Sequence, residues 1–244
     1  MATPSVDVAR PDEPEDAGTG RLEGASMSRV VLVILAIVAA TEVCTFYFTF
    51  ISMATRYVGP SFPRESAGQL TWLATLFSIV GGAGVPVVGK LSDRIGKKKV
   101  ILACLAVAVI GSIVDATTSS WTLMLVGRAL EAVAFPCIFV SYGLIRDLVP
   151  RRQLNMAIAL AGGGTGIGAV LGPIAGGVLT DHYSWRSLFW FCVVWSVVTM
   201  IPLALFVPET RLRVRSSIDL VGAVLLGAGV AGVLIYLSEG GSWA

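Results

Sequence analysis

The sequence predicts an all-α membrane protein: a six-helix transmembrane bundle followed by a seventh transmembrane helix, with the amino terminus cytoplasmic. Three observations carry this. First, 55% of the 244 residues are hydrophobic and only 14% are charged, against about 25% charged in a soluble domain; the mean hydropathy is +0.80. Second, seven apolar runs recur along the chain, each near the roughly 20 residues that a bilayer-spanning helix needs. Third, lysine and arginine gather in alternate connections, as positive-inside topology demands. The runs are continuous rather than alternating, which selects helices over a barrel among the structures that satisfy their backbone in lipid.

Residues 1–28 come first and differ in kind. They carry Pro4, Pro11 and Pro14 and six acids (Asp7, Asp12, Glu13, Glu15, Asp16, Glu23) among few apolar residues, the composition of a disordered tail. An acidic stretch before a long apolar run is not a signal peptide. The bundle is expected over 29–208. Its runs are Val30–Met53, Leu70–Val88, Val100–Ala116, Leu123–Ile145, Leu154–Leu179 and Leu188–Val207. The loop 54–68 contains Gly59, Pro60 and Pro63, which stop a helix; Thr117–Ser120 and Asp181–Trp185 are too short to hold a further domain. A basic linker at 209–217 leads to the seventh run, Ile218–Leu237, within 218–244. A seventh helix without a partner is expected to belong to an interrupted protein.

The charges fix the expected orientation. Arg10, Arg21 and Arg29 lie in the tail. Lys90, Arg94, Lys97, Lys98 and Lys99 join the second and third runs. Arg146, Arg151 and Arg152 join the fourth and fifth, and Arg211, Arg213 and Arg215 the sixth and seventh. Only Arg56, Arg64 and Arg186 fall on the other side, so the first group is placed inside. Trp72, Trp121, Trp185, Trp190 and Trp243 fall near expected outer ends, as an interfacial belt does. Cys44, Cys104, Cys137 and Cys192 lie within runs. Their spacing suits neither a disulfide framework nor a metal site, so they read as small apolar residues and no metal is expected. The net charge of +2 gives no footprint for nucleic acid, and the bilayer is the expected partner.

Ionisable groups inside a membrane are costly and mark function by default. Glu42 lies roughly 18 Å from the inner end of the first run, and Arg128 and Glu131 roughly 10 and 15 Å from the outer end of the fourth. In a core about 30 Å thick these depths nearly coincide. Arg128 and Glu131, at i and i+3, share a helix face. A Glu42–Arg128 pair is allowed if the two helices are adjacent. The functional reading is a proton or cation site, since burial and a nearby arginine act oppositely on a carboxylate. The structural reading is a static ion pair that fixes packing. Asp115, at an outer helix end, is expected to be solvated.

Two further patterns stand out. Gly89-Lys90-Leu91-Ser92-Asp93-Arg94-Ile95-Gly96-Lys97-Lys98-Lys99 is a short basic link with one acid, read as a tight cytoplasmic turn. In the fifth run Gly164, Gly168, Gly172 and Gly176 recur every four residues, with Pro173 and Gly177 beside them. That spacing cuts a groove that another backbone can approach, and the proline should soften the helix. Tight packing explains the pattern, and so does a seal between moving halves.

On these residues the chain resembles the major facilitator superfamily of secondary transporters. Gly89-x-Leu91-x-Asp93-Arg94-x-Gly96-Lys97-Lys98 is similar to the signature after that family's second helix. Gly168-x-x-x-Gly172-Pro173-x-x-Gly176-Gly177 is similar to its antiporter signature in helix five. Trp185-Arg186-x-x-Phe189 resembles a stretch in drug-exporter branches. The resemblance covers about residues 29–244 and implies two six-helix halves rocking about a central cavity. Helices one and four line that cavity, which implies a Glu42–Arg128 neighbourhood. It also implies that Asp93 docks near a helix end of the other half, with Arg94, Lys97 and Lys98 in a gating charge relay. One departure concerns helix four. Where the family usually has Arg-x-x-Gln-Gly, this chain reads Arg128-Ala129-Leu130-Glu131-Ala132. The seventh run, after Asp219-Leu220-Val221-Gly222, resembles the first extra helix of the fourteen-helix, drug:proton branch.

The expectation is therefore a carrier and not an enzyme: proton-coupled efflux of small amphipathic compounds across the bacterial plasma membrane. The proton is the coupling ion, no other cofactor is required, and a carboxy-terminal half is missing. The alternatives are an uptake carrier for a nutrient or metabolite and a nonproductive fragment.

Overall fold

A computed structural model describes Leu22, residues 24–210, and Gly222, Leu225, residues 227–229, Gly232, Val233 and Tyr236. Residues 1–21 and 23 of the expected tail (1–28) and 211–217 of the expected linker (209–217) lie outside the described residues, as does most of the seventh run; α1 already begins at Met27, inside the expected tail. Every described residue from Gly222 to Tyr236 is helical. Among the described residues there is no strand.

Among the described residues up to Thr210, eight helices and one 3₁₀ turn follow in order: α1 (Met27–Thr41), α2 (Val43–Val58), the turn Gly59–Ser61, α3 (Ala67–Ile95), α4 (Lys97–Thr117), α5 (Trp121–Ala132), α6 (Cys137–Leu148), α7 (Arg151–His182) and α8 (Arg186–Phe206). They make six stretches long and apolar enough to cross a bilayer. α1 with most of α2 is the first, and α5 with α6 is the fourth. α2 runs five residues past the expected end at Met53, into the expected loop 54–68, and stops only at Gly59, Pro60 and Pro63. A capping box opens α3: Ser66 Oγ accepts from Gln69 N–H at 3.3 Å, and the Gln69 side chain accepts from Ser66 N–H at 2.7 Å. Two backbone donors of the first turn are thereby satisfied.

The link between the second and third runs is tighter than its sequence suggests. Instead of an eleven-residue turn, α3 continues through Ile95 and α4 starts at Lys97. Gly96 alone makes the corner, at φ 116°, a backbone region where L side chains are strained. Helical hydrogen bonding continues past the apolar boundary because Lys90–Arg94 are ordinary helix formers in water.

The first stretch is central, with 72% of its most apolar window buried, whereas those of α3 and α7 are only 22% buried. α4 packs along α5 and α8, α2 along α7, and α1 along α8. Packing also begins ahead of α1: Leu22 is buried and its N–H donates to Leu148 O at 3.1 Å.

Candidate functional site

The first and fourth stretches are both interrupted near mid-depth. Glu42 sits between α1 and α2. Residues 133–136 separate α5 from α6, where the backbone bonds tighten to i−3 steps such as Ala134 N–H to Glu131 O (3.0 Å) and Cys137 N–H to Ala134 O (2.9 Å). Pro136 has no N–H to continue the ladder. The two breaks meet, since the Cys44 thiol donates to Ala134 O at 3.1 Å. The last carbonyls of a helix need outside donors. Ala39 O, in the last turn of α1, receives the indole N–H of Trp195 from α8 at 2.8 Å.

Glu42 is buried at this break, and its Oε2 has no hydrogen-bond partner among the described residues. It faces α7. A Cβ added to Gly168 meets Glu42 Oε2, and one added to Gly164 lies 3.4 Å from Glu42 Oε1 and collides with Val38. One turn further, a Cβ on Gly172 meets the Thr49 hydroxyl. The four-residue glycine repeat is therefore the groove that receives Val38, Glu42, Thr45 and Thr49. Gly164, Gly168 and Gly172 pack inward on the same bundle, and Gly176 is buried on the same face. Pro173 sits inside an unbroken α7. Gly163, Gly166 and Gly177 have open space around them, and Ile167, Val170, Ile174 and Val178 are exposed. That outer face is the part of α7 free to meet another surface.

Arg128 is elsewhere. It is fully buried and forms an ion pair with Glu131, its neighbour at i+3 on α5. Its Nε–H donates to Leu73 O of α3 at 3.1 Å and its Nη2–H to Tyr47 O of α2 at 3.2 Å. The Phe77 ring lies 4.9 Å from the guanidinium carbon. Ser112 of α4 donates its hydroxyl to Glu131 Oε1 at 2.7 Å, and the Tyr47 hydroxyl lies 2.9 Å from Ser112 Oγ. One polar network thus ties α2, α3, α4 and α5 together. The expected Glu42–Arg128 pair is not formed. The depths agree but the directions do not: Tyr47, on the Arg128 side, is five residues beyond Glu42, about 140° around the helix. A cavity of about 10 Å³ lies beside Arg128, lined by Tyr47, Phe50, Ile51, Leu188, Phe189 and Cys192, which is room for about one water.

Asp115 also differs from expectation. It is fully buried, with neither carboxylate oxygen partnered among the described residues, and a Cβ on Gly127 would strike its Oδ1. α5 covers it because Gly111 and Gly127 let the two backbones close: a Cβ on Gly111 would come within 2.6 Å of Gly127 O. Trp185 is buried too, donating its indole N–H to Ser61 Oγ at 2.9 Å. It braces the end of the bundle opposite the Gly96 corner and stacks on Arg186 at 4.3 Å. Trp243 lies outside the described residues.

At the other end, Lys97 bridges Asp93 at 3.0 Å and Asp147 of α6 at 2.8 Å. Asp93 keeps 49% of its side chain exposed while Asp147 is buried to 8%, and Arg94 is exposed. Gly89 lies within α3 with open space around it. Glu209 caps α4: Lys98 N–H and Lys99 N–H donate to its two carboxylate oxygens, each at 3.1 Å, and Gly96 leaves the room, since a Cβ there would come within 2.6 Å of the carboxyl carbon. Lys98 Nζ donates to Ala204 O at 2.7 Å. A carboxylate is stabilised at a helix amino end. Sequence reasoning missed Ser112, Tyr47, Asp147 and Glu209. Asp147, an acid beside Arg146, Arg151 and Arg152, was the one with a readable signal.

The comparisons with known proteins agree with this architecture. The Major Facilitator Superfamily profile matches residues 32–229. An uncharacterized MFS-type transporter of Mycobacterium tuberculosis is 31% identical over 70% of this chain and 25% of its own length. Multidrug resistance protein 3 of Bacillus subtilis is 25% identical over 72% of this chain and 35% of its own. The riboflavin transporter RibZ of Clostridioides difficile is 23% identical over 87% and 46%. The crystal structure of the human organic anion transporter MFSD10 shares the fold, with TM-score 0.62, 19% identity, and coverage of 84% of this chain and 54% of that one. The chain thus spans between a quarter and just under half of these curated relatives. Membrane-spanning helices in this order, an interrupted first and fourth stretch facing one another, and the profile match across most of the chain lead to one conclusion: the chain belongs to the Major Facilitator Superfamily.

Proposed function

We propose that the chain supplies the first six-helix bundle of a proton-coupled efflux carrier for small amphipathic compounds in a bacterial plasma membrane, with a carboxy-terminal half completing its cavity. The observation that carries this reading is Glu42: a buried carboxyl whose Oε2 has no partner among the described residues, at the break of the central stretch, against the groove of α7. A carboxyl in such a place is expensive as an anion and inexpensive as an acid, so access to water from one side or the other sets whether it is protonated. Because it rests on α7, its protonation is tied to the contact between the central stretch and a peripheral helix. The outer face of α7 suits a second half, against which the bundle rocks. The Lys97 bridge and the Glu209 cap stiffen the Gly96 corner, which in this reading is the cytoplasmic gate. Arg128 and Glu131 hold the bundle together and set the field in the cavity.

The test is Glu42→Gln in the full-length carrier, reconstituted in vesicles with an imposed pH gradient. Gradient-driven export should be lost while membrane insertion and yield persist. Export at the wild-type rate refutes Glu42 as the coupling group. The riboflavin transporter among the relatives supports a second reading, a carrier for a nutrient or metabolite. Labelled-compound fluxes measured in both directions separate the two.

A further inference from the structure

We propose that Asp115 is a second proton-binding site, separate from Glu42 and seated on the seam between α4 and α5. Asp115 is fully buried and both of its carboxylate oxygens lack partners among the described residues. It points at α5, where only the absence of a side chain at Gly127 makes room for Oδ1.

Charge around it decides its state. Of the titratable and charged groups on the elements packed about α4, Arg128 and Glu131 of α5 face Asp115, Tyr47 of α2 meets α4 one turn away at Ser112, and Cys192 of α8 lines the cavity beside Tyr47 and Arg128. The charged groups Lys90, Asp93 and Arg94 of α3, and Arg146 and Asp147 of α6, lie at the Lys97 end of α4. Arg186, at the start of α8, donates to Thr118 O at 2.8 Å and Ser119 Oγ at 3.3 Å. Arg128 is already committed, to Glu131, Leu73 O and Tyr47 O. Glu131 is one arginine's worth of countercharge and sits on Ser112, one turn or roughly 4.5 Å along α4 from Asp115. Two carboxyls and a single guanidinium leave one negative charge without an ion partner in a water-poor place. A neutral carboxylic acid is far less costly there than an unpaired anion, so Asp115 holds a proton while Glu131 remains the arginine's partner. On release the O–H bond of Asp115 breaks, the electron pair stays on the carboxylate and the proton passes to water; loading reverses this. Opening the α4–α5 seam, or a shift of Arg128 toward Asp115, provides the trigger. The use of this site in transport rests on the proton-coupled reading, whereas its occupancy does not.

The decisive experiment is infrared spectroscopy on the full chain in lipid vesicles, with carboxyl-¹³C aspartate incorporated. The isotope moves the protonated-carboxyl band of aspartate away from that of glutamate. Among the described residues Asp93 and Asp181 are exposed or half-exposed, and Asp147 is ion-paired. The expected result is an isotope-sensitive protonated-carboxyl band at neutral pH, absent in Asp115→Asn and intact in Glu42→Gln. No such band in the wild-type chain at neutral pH overturns the proposal, as does a band unchanged in Asp115→Asn. Should Asp115→Asn fail to insert, the wild-type chain still decides: the band at neutral pH supports the site and its absence overturns it. Failure of Glu42→Gln to affect export, with the aspartate band present, refutes the coupling role of Glu42 and leaves Asp115 standing.

Discussion

Arg128 shows how much one side chain can organise. Its guanidinium bonds α2, α3 and α5 at once, and the Tyr47–Ser112–Glu131 chain adds α4. Truncating one partner of a buried pair leaves the other charge bare, which costs about 3–5 kcal/mol. Arg128→Leu should therefore lower the melting temperature in detergent sharply, whereas Glu131→Gln, whose single amide oxygen can still accept from Arg128 while its NH2 turns to Ser112 Oγ, should lower it less. Equal loss in both variants would mean that the charge of Glu131, rather than its hydrogen bonding, carries the stability. The i, i+3 spacing made Arg128–Glu131 legible as neighbours. What the sequence concealed was direction around the first helix: Glu42 and Arg128 match in depth, yet Glu42 looks at α7. Asp115 was concealed for a related reason. Its place near the end of α4 reads as solvated until Gly111 and Gly127 are seen to draw α5 over it.

At the scale of elements, α7 sorts its glycines by face. Gly164, Gly168 and Gly172 take the side chains of the first stretch, while Gly163, Gly166 and Gly177 look outward. The four-residue repeat was readable as a groove, but a repeat alone does not say what fills it. Gly168→Leu would drive side-chain atoms into the space of Glu42 and Thr45. Overpacking of this kind costs about 1–3 kcal/mol, so a clear fall in melting temperature is expected. Gly166→Leu, with nothing within 4 Å of its added Cβ, should be silent or slightly stabilising, since glycine is a poor helix former. Parallel melts of the two variants check this, and equal destabilisation would mean that α7 is turned differently against the first stretch. The breaks at Glu42 and 133–136 divide in the same way. Pro136 announces the second. The first has no glycine or proline, and is sustained by tertiary donors such as the Trp195 indole on Ala39 O, which no local pattern reveals.

For the whole molecule, length and hydropathy were enough to locate the six spans of the described residues, because lipid leaves helices no alternative; the corner between α3 and α4 moved, since apolar runs mark the bilayer core and not the helix ends. Orientation remains the boldest statement about the assembled chain, and it rests on charge. Lys90, Arg94, Lys97, Lys98 and Lys99 cluster at the Gly96 corner, whereas the opposite end of α4 runs into Thr118, Ser119 and Ser120, where Arg186 donates to Thr118 O. By the positive-inside rule we propose that the Gly96 corner faces the cytoplasm. The chain is well suited to a direct test, because Cys44, Cys104, Cys137 and Cys192 are all buried and a new exposed thiol stands out against them. Lys99 and Ser120 are both exposed and occupy opposite ends of the same helix hairpin. With a membrane-impermeant maleimide, Lys99→Cys should label only in inside-out vesicles and Ser120→Cys only in right-side-out ones. The reverse pattern would invert the bundle and move the Gly96 corner, with its Lys97 bridge and Glu209 cap, to the outer face. Labelling of both sites from one side would contradict a membrane crossing by α4 itself.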